Sequence, residues 1–273
     1  MRTLLKLLAT GMTLFGCSSS DQAPPLTDAG ARDTASGVAD DRFTSPQLDS
    51  VWTVLHPELA DVVAGSGQLL ITMKQRAIWA GPNEAVHVWR RVRGDFRATS
   101  MVRARSQTAP DAPPPGPVRL GGLMARSTAT APPQNYVHVV VGFAPTGLSV
   151  ETKTTEDSTT SYDAPAWPNG DAELGICRIG SRFAMLKRPS TGGQWQVAAT
   201  FDRPDLPDEL AVGPNAYAQY GAGGPPSDGG APPTTTGPND AGADVGPDLV
   251  VAFGPVHVER VAQDADCLAV AAR

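Results

Sequence analysis

The sequence predicts an all-β fold, an antiparallel sandwich of two sheets. From Phe43 onward the chain consists of short runs in which apolar and polar side chains alternate, which is the period of a half-buried strand. Glycine, proline, asparagine and aspartate separate these runs at short intervals, as turns between neighbouring strands require. Helical periodicity is nearly absent, and only residues 207–210 are expected to form one short helical turn.

The strongest strand signal is a pair of arms around Gly94-Asp95, a dipeptide typical of turns. Residues 86–93 and 96–103 alternate in side-chain character and are predicted to form a hairpin. Arginine is dense in both arms; we expect a solvated face, with a charged partner site as the alternative. The other predicted strands, in chain order, are 51–55, 68–73, 118–125, 136–143, 148–154, 173–179, 182–187, 194–201, 216–220 and 249–261.

Residues 1–16 are predicted to be a secretory signal peptide. A basic start precedes an apolar run that is too short to span a bilayer as a stable helix. Residues 14–17, Leu-Phe-Gly-Cys, resemble the lipobox of bacterial lipoproteins, which implies lipid attachment at Cys17; an ordinary signal peptide is the alternative. Ser18 does not resemble an inner-membrane retention signal. The resemblance therefore favours a lipid-anchored protein of the outer membrane or cell surface, with a periplasmic orientation left open.

Three segments of low complexity accompany the strands. Residues 17–41 contain almost no large apolar side chains, so they cannot offset the entropy of ordering and are predicted to be a disordered tether. Residues 106–117 and 221–247 are rich in proline or glycine, and neither can be an interior strand. Because strand-like sequence resumes after each, we interpret them as disordered insertions within one domain over residues 42–267.

Several short motifs, taken in order, resemble one superfamily. They are Gly94-Asp95-Phe96, Gly-Leu-Met-Ala-Arg at 122–126, Asn-Tyr-Val-His-Val at 135–139, Leu-Gly-Ile-Cys-Arg-Ile-Gly at 174–180 and Thr-Gly-Gly-Gln-Trp at 191–195. The series resembles concanavalin A-like lectin and glucanase domains, in particular bacterial domains of unknown function allied to the C-terminal module of β-xylosidases. The long insertions and Cys177 depart from that pattern. The resemblance implies a jelly roll of two antiparallel sheets packed face to face.

The sequence lacks the pattern that carries hydrolysis in sandwich glucanases. Those enzymes place acid and nucleophile on one strand face in a Glu-x-Asp-x-Glu run, whereas the glutamates here are isolated. A serine nucleophile elbow is absent, and the four histidines have no metal-ligand spacing, which disfavours zinc. A net charge of −6 and the lack of a basic stripe with interleaved aromatic residues disfavour nucleic acid. We therefore expect no enzymatic activity.

Five tryptophans raise the question of carbohydrate, because pyranose rings stack on exposed aromatic faces. Trp52, Trp89 and Trp195 lie in strand patterns and are expected in the core. Trp79 precedes Ala-Gly-Pro and Trp167 lies between two prolines, so both are expected in loops at the rim of the sandwich. These two are the candidate ligand contacts.

Two cysteines remain if the first carries lipid. Outside the cytoplasm, Cys177 and Cys267 favour a disulfide that ties the C-terminal tail to a body strand; two unpaired thiols are the alternative. No cofactor is predicted. A structural calcium ion is left as an alternative, because Asp240, Asp244 and Asp248 offer hard oxygen ligands in a glycine-rich loop that is otherwise interpreted as acidic and solvated.

These observations favour a membrane-anchored, non-catalytic binding module that recognises either a carbohydrate or another extracellular partner. The alternative is a structural or assembly lipoprotein that binds another envelope protein. A third hypothesis, glycoside hydrolysis, would need two carboxylates about 5–10 Å apart in a groove. The expected partners are the membrane, through the lipid anchor, and either a glycan or an envelope protein. Fold resemblance alone motivates the carbohydrate hypothesis, and the ligand itself is left open.

Overall fold

The computed structural model describes residues 38–129, 132–219 and 246–269. Within these ranges the chain forms two antiparallel sheets, of nine and seven strands, and the predicted all-β sandwich is confirmed. Helical structure in the same ranges is limited to a 3-10 turn at Pro57–Leu59 and α1 (Asp264–Leu268). None of the helices described is long and apolar enough to cross a membrane.

Sixteen strands build the described part of the sandwich. In chain order they are β1 (Val38–Asp41), β2 (Thr53–Leu55), β3 (Ala60–Gly65), β4 (Gln68–Met73), β5 (Val86–Arg93), β6 (Phe96–Arg105), β7 (Arg119–Arg126), β8 (Tyr136–Ala144), β9 (Gly147–Glu156), β10 (Thr159–Asp163), β11 (Asp171–Ile179), β12 (Arg182–Arg188), β13 (Gln196–Asp202), β14 (Glu209–Ala218), β15 (Val250–Phe253) and β16 (Val256–Arg260). The nine-stranded sheet runs β13-β12-β11-β6-β15-β4-β3, and β16 pairs with both β6 and β1. The seven-stranded sheet runs β10-β9-β8-β7-β14-β5-β2.

The two arms around Gly94-Asp95 are strands, but they do not form the predicted hairpin. β5 pairs with β2 and β14 in the seven-stranded sheet, whereas β6 pairs with β11, β15 and β16 in the other. Gly94, at φ +73°, therefore carries the chain from one sheet to the other. Asp95 fixes this corner, because its carboxylate accepts a hydrogen bond from the backbone N–H of Gly180 at 2.7 Å.

The helical turn predicted at 207–210 is wrong, because Glu209 and Leu210 begin the long strand β14. Gly213 and Pro214 lie inside this strand, and the low strand propensity of glycine and proline is why the sequence did not predict it. Proline has no backbone N–H to donate, and the pairing of β14 with β5 is interrupted at these two residues. Burial of β14 between β5 and β7 outweighs the poor strand propensity of the pair.

The N-terminal boundary of the folded part lies earlier than predicted. Residues 38–41, assigned to the disordered tether, form β1 and pair with β16, with Asp41 opposite Val256. Backbone hydrogen bonds to an open sheet edge need no apolar side chains, which is why composition did not reveal this strand. The predicted signal peptide, Cys17 and the rest of the tether lie outside the described residues.

The insertion at 106–117 is irregular, but hydrogen bonds hold it, so the prediction of disorder is wrong there. The Asp248 carboxylate accepts hydrogen bonds from Ser106 Oγ at 2.9 Å and from the backbone N–H of Gln107 at 2.6 Å. Polar contacts to one buried carboxylate thus replace the apolar contacts that the segment lacks. Most of the second insertion, residues 220–245, lies outside the described part of the chain.

The main core lies between the two sheets. Val137, Val139 and Val141 of β8 are fully buried in one cluster with Leu174 and Ile176 of β11. The packing is close, because a Cβ atom added to Gly121 would lie 2.5 Å from the side chain of Val251 in the opposite sheet. A larger residue at Gly121 would push the sheets apart.

The predicted disulfide is confirmed. Cys177 of β11 and Cys267 of α1 are joined with a sulfur–sulfur distance of 2.04 Å. Leu186 and Trp195 pack beside the bridge in a small second cluster. Arg97 of β6 donates hydrogen bonds to the backbone oxygens of Asp266 and Cys267, so charge and covalent bond together hold α1 on the sheet.

Candidate binding face of the seven-stranded sheet

The outward face of the seven-stranded sheet carries a cluster of polar and aromatic side chains. Successive side chains of a strand point to opposite faces, so Tyr136 and His138 of β8 lie on the sheet face opposite that of Val137 and Val139, and Tyr136 is itself buried in the main apolar cluster. The strand register places Lys153 of β9 directly beside His138. We call the following seven residues the polar face: His87, Tyr136, His138, Glu151, Lys153, Asn215 and Tyr217.

Glu151 is the centre of the polar face. Its Oε1 atom lies 3.0 Å from Lys153 Nζ and 3.2 Å from His138 Nε2, and accepts a hydrogen bond from the Tyr217 hydroxyl at 2.7 Å. The rings of His138 and Tyr217 stack with their centroids 5.8 Å apart. All four residues are at most 4% exposed. A buried carboxylate is stable only with partners of this kind.

The network shifts the pKa of several members. Burial on its own would raise the pKa of Glu151, but Lys153, His138 and Tyr217 together lower it to about 2. Burial lowers the pKa of His138 to about 4 in spite of the Glu151 carboxylate. Burial and the negative charge of Glu151 raise the pKa of the Tyr217 hydroxyl well above its ordinary value. Near neutral pH, Glu151 is therefore ionised, and His138 and Tyr217 are neutral.

Part of the polar face has unused hydrogen-bonding capacity. Asn215 is fully buried, and neither its amide nitrogen nor its amide oxygen has a partner among the described residues. The same holds within the described ranges for His138 Nδ1. Buried polar side chains normally have a hydrogen-bond partner, and those without one call for a specific explanation. These atoms mark the part of the face that a hydrogen-bonding ligand would suit.

The chain itself covers this face. Residues 74–85, which we call the cover segment, connect β4 of one sheet to β5 of the other. Trp79 lies within the segment and is fully buried, so the prediction that it lies exposed at the rim is wrong. Its indole meets Tyr136 and His87 edge-on, with centroid distances of 5.6 and 6.4 Å, and the Arg126 guanidinium lies 5.4 Å from the ring. The Trp79 indole thus covers part of the polar face, and we call it the plug.

Single polar contacts fasten the cover segment. Lys153 Nζ donates a hydrogen bond to the backbone oxygen of Trp79 at 2.9 Å. The backbone N–H of Gly81 donates to Thr160 Oγ1 at 2.9 Å. Near the end of the segment, Glu84 Oε1 lies 2.8 Å from a guanidinium nitrogen of Arg126. The segment therefore depends on side chains of the sheet below it.

Trp167, the second predicted contact, lies elsewhere and is half-buried. Its backbone N–H donates to the oxygen of Leu148 at 2.9 Å, and its indole N–H donates to the backbone oxygen of Asp171 at 2.8 Å. Lys187 Nζ lies 5.1 Å from the centroid of its ring. Trp167 thus joins the edge of one sheet to the other, whereas the contacts described for Trp79 are with Tyr136, His87, Arg126 and Lys153. The structure does not bring the two predicted residues together.

The three tryptophans predicted in the core differ from one another. Trp52 is buried in the main cluster, as expected. Trp195 is buried in the second cluster beside the disulfide, with the Arg188 guanidinium 4.4 Å from its ring centroid. Trp89 is only half-buried, so the core assignment fails there.

Of the three predicted calcium ligands, the structure describes Asp248, and its carboxylate has a different role. Asp248 is buried, and its carboxylate accepts the hydrogen bonds that hold the 106–117 loop. Asp240 and Asp244 lie outside the described residues.

Sequence reasoning missed the polar face as a unit. In the sequence the four histidines lack metal-ligand spacing and the glutamates are isolated, so His87, His138 and Glu151 were not among the candidate site residues. A signal was present: Tyr136 and His138, and likewise Glu151 and Lys153, are spaced two apart, so each pair shares a strand face. What no single strand showed is that β8, β9 and β14 lie near one another in the sheet and bring these pairs together.

Solved structures with the same fold include carbohydrate-related proteins. The chain is similar to xylan β-1,4-xylosidase from Bacillus halodurans C-125, with a TM-score of 0.57, 13% identity, and coverage of 81% of this chain and 39% of that one. It is similar to basic winged bean lectin with Tn-antigen, with a TM-score of 0.51, 11% identity, and coverage of 81% and 97%. It is also similar to a protein of unknown function from Saccharomyces cerevisiae, with a TM-score of 0.56, 12% identity, and coverage of 78% and 98%.

These likenesses establish the concanavalin A-like jelly-roll fold, which the motifs predicted. At 11–13% identity they show the fold alone. The chain also spans well under half of the xylosidase. No protein-family model and no curated protein sequence matches the chain.

Proposed function

We propose that this domain is a non-catalytic carbohydrate-binding module whose ligand site is the polar face. The observation that carries the proposal is the buried Asn215 amide, which has no partner among the described residues, beside the Tyr136, His138 and Tyr217 rings on one sheet surface. Sugars present hydroxyl groups that donate and accept hydrogen bonds, together with C–H faces that pack on aromatic rings. The polar face offers both kinds of contact.

The state of Glu151 supports a binding role over hydrolysis. A glycosidase needs one carboxylic acid whose pKa is raised, so that it can protonate the leaving group. The pKa of Glu151 is instead lowered to about 2, and its Oε1 is engaged by Lys153 and Tyr217. Glu84, the carboxylate of the cover segment, pairs with Arg126 and His56. Both carboxylates thus serve to hold the fold.

Binding to a glycan array, followed by calorimetric titration of any glycan that binds, tests this proposal. We expect Asn215→Ala to weaken binding by about tenfold or more, because a hydrogen-bonded hydroxyl loses its partner. Val63→Ala, at an exposed position of the other sheet, is the matched control and should bind as the original domain does. Trp167→Ala tests the second candidate contact in the same assay. The proposal is wrong if no glycan binds to the original domain or to a Trp79→Ala variant that lacks the covering indole, or if Asn215→Ala binds unchanged.

We further propose that lipid on Cys17 anchors the protein in the outer membrane or at the cell surface. The proposal rests on the resemblance of residues 14–17 to a lipobox and on the polar residues that follow. Metabolic labelling with a radioactive fatty acid and detergent phase partition test it. The label and the detergent partition should both be lost in Cys17→Ser, whereas Ser18→Ala keeps them. An unlabelled protein with intact Cys17 would show that the anchor is absent.

A further inference from the structure

We propose that the cover segment, residues 74–85, is a lid that closes the polar face with Trp79 and is displaced when a ligand binds. The inference rests on the proposed function and adds its regulation. In the closed state described here, the site is occupied by the chain's own indole. A glycan would take the place of Trp79 on the same surface.

The first argument for a lid is that several buried polar groups have no hydrogen-bond partner among the described residues while Trp79 covers the polar face. The Asn215 amide and His138 Nδ1 belong to the polar face, and the indole N–H belongs to Trp79 of the cover segment. None of these groups has a partner among the described residues, although all three are fully buried. Burying polar groups without hydrogen bonds costs free energy, and an indole ring has only one donor to offer. A ligand rich in hydroxyl groups would satisfy groups that the plug leaves unsatisfied.

The attachment of the segment is the second argument. Of its backbone groups, the N–H of Ala77 donates to a strand of the sheet below, to Ala218 of β14 at 2.9 Å. The later contacts of the segment with that sheet are to side chains: Lys153 to the Trp79 oxygen, Thr160 to the Gly81 N–H, and Arg126 to Glu84. Opening also exposes the buried side chains of Ala77, Ile78 and Ala85, but among the described residues it breaks only the single Ala77–Ala218 bridge and no strand ladder. The sheet therefore keeps its structure while the lid moves.

Lys153 can bind either the lid or a ligand through the same ammonium group. Its ammonium group holds the Trp79 oxygen and stays paired with Glu151 at 3.0 Å. When the lid leaves, the donor that held the Trp79 oxygen becomes available to a sugar hydroxyl. The opened face then presents Lys153 and Asn215 for hydrogen bonds and Tyr136 for packing. Because only the open state binds, the apparent dissociation constant equals the intrinsic one divided by the open fraction.

The sign of the effect of Trp79→Ala on glycan affinity tests the inference. If Trp79 is a plug, its removal raises the open fraction, and binding should tighten by about tenfold. Thr160→Val keeps Trp79 and removes the hydrogen bond to Gly81, so it should tighten binding by about threefold. Val63→Ala is the control. If Trp79→Ala or Thr160→Val weakens binding or leaves it unchanged, the lid inference is overturned while the proposed function stands. If no glycan binds even to Trp79→Ala, the polar face is not a glycan site and both are overturned.

Native-state hydrogen exchange provides a readout without any ligand. The Ala77 and Gly81 amides should exchange through local opening, at denaturant concentrations that leave the Val137 and Val139 amides of β8 protected. Exchange of all four amides only through global unfolding would overturn the lid, even in a protein that binds glycans. Added glycan should slow the exchange of Val139 and speed that of Gly81, because the ligand stabilises the open state.

Discussion

Lys153 ties the seven-stranded sheet to the segment above it, because its Nζ atom donates a hydrogen bond to the backbone oxygen of Trp79 at 2.9 Å. The same atom lies 3.0 Å from Glu151 Oε1. One buried ammonium group therefore neutralises a carboxylate and holds the indole in place. The stability of the sheet and the closure of the polar face are coupled through this residue.

Replacing Lys153 should destabilise the fold strongly. Lys153→Met leaves the Glu151 carboxylate buried without its cation, which should lower the free energy of unfolding by about 3–5 kcal/mol. Urea unfolding followed by circular dichroism measures the change. The double variant Glu151→Gln/Lys153→Met removes both charges and should recover much of the loss. A Lys153→Met protein as stable as the original would show that the pair is not needed to hold Glu151.

Stability should fall as the solution becomes acidic. The pKa of His138 is about 4 in the folded protein against an ordinary value of 6.5, so the unfolded chain takes up its proton first. Unfolding is therefore favoured progressively from pH 6.5 down to about 4, by on the order of 3 kcal/mol for this group. The pKa of Glu151 is lowered from 4.5 to about 2, so its stabilising effect is lost over that lower range.

Urea midpoints measured at intervals from pH 7.5 to about 4 test this dependence. His138→Gln keeps a polar side chain but cannot titrate, so its midpoint should change less between pH 6.5 and 4.5. An equal slope for both proteins would rule out His138 as a source of the acid sensitivity.

The alternation of side chains was sufficient to predict the sandwich, because period two follows directly from strand geometry. It could not predict partners. The arms around Gly94 alternate as a hairpin would, yet they enter different sheets, since pairing depends on contacts distant in sequence. The same limit hid the site: Glu151 and Tyr217 meet through a hydrogen bond although β7 and β8 separate their strands. The neighbouring residues predicted that Trp79 would lie in a loop at the rim. It is buried because the cover segment crosses the seven-stranded sheet, which the local sequence does not show.

Removal of the disulfide should lower stability without changing the sheet. Cys177 and Cys267 are separated by 90 positions, and closing a loop of that length is worth about 4–5 kcal/mol in the chain-entropy model. Cys177→Ala/Cys267→Ala should lose most of that amount in urea unfolding and keep its far-ultraviolet circular dichroism spectrum. The original protein measured in reductant is the control, and should match the double variant. Equal stability of oxidised and reduced protein would contradict the prediction.

Gly142 and Gly147 form a matched pair for testing backbone strain at the end of the β8–β9 hairpin. Both have positive φ, at +144° and +120°, so alanine is conformationally strained at either position. A Cβ atom at Gly142 would also overlap the backbone oxygen of Arg119, whereas nothing lies within 4 Å of one at Gly147. We expect Gly142→Ala to be less stable than Gly147→Ala by about 1–3 kcal/mol, the usual cost of overpacking. Thermal and urea unfolding of the two variants measure the difference directly, because the shared strain largely cancels. Equal losses would mean that β7 shifts to accept the added methyl group at no cost.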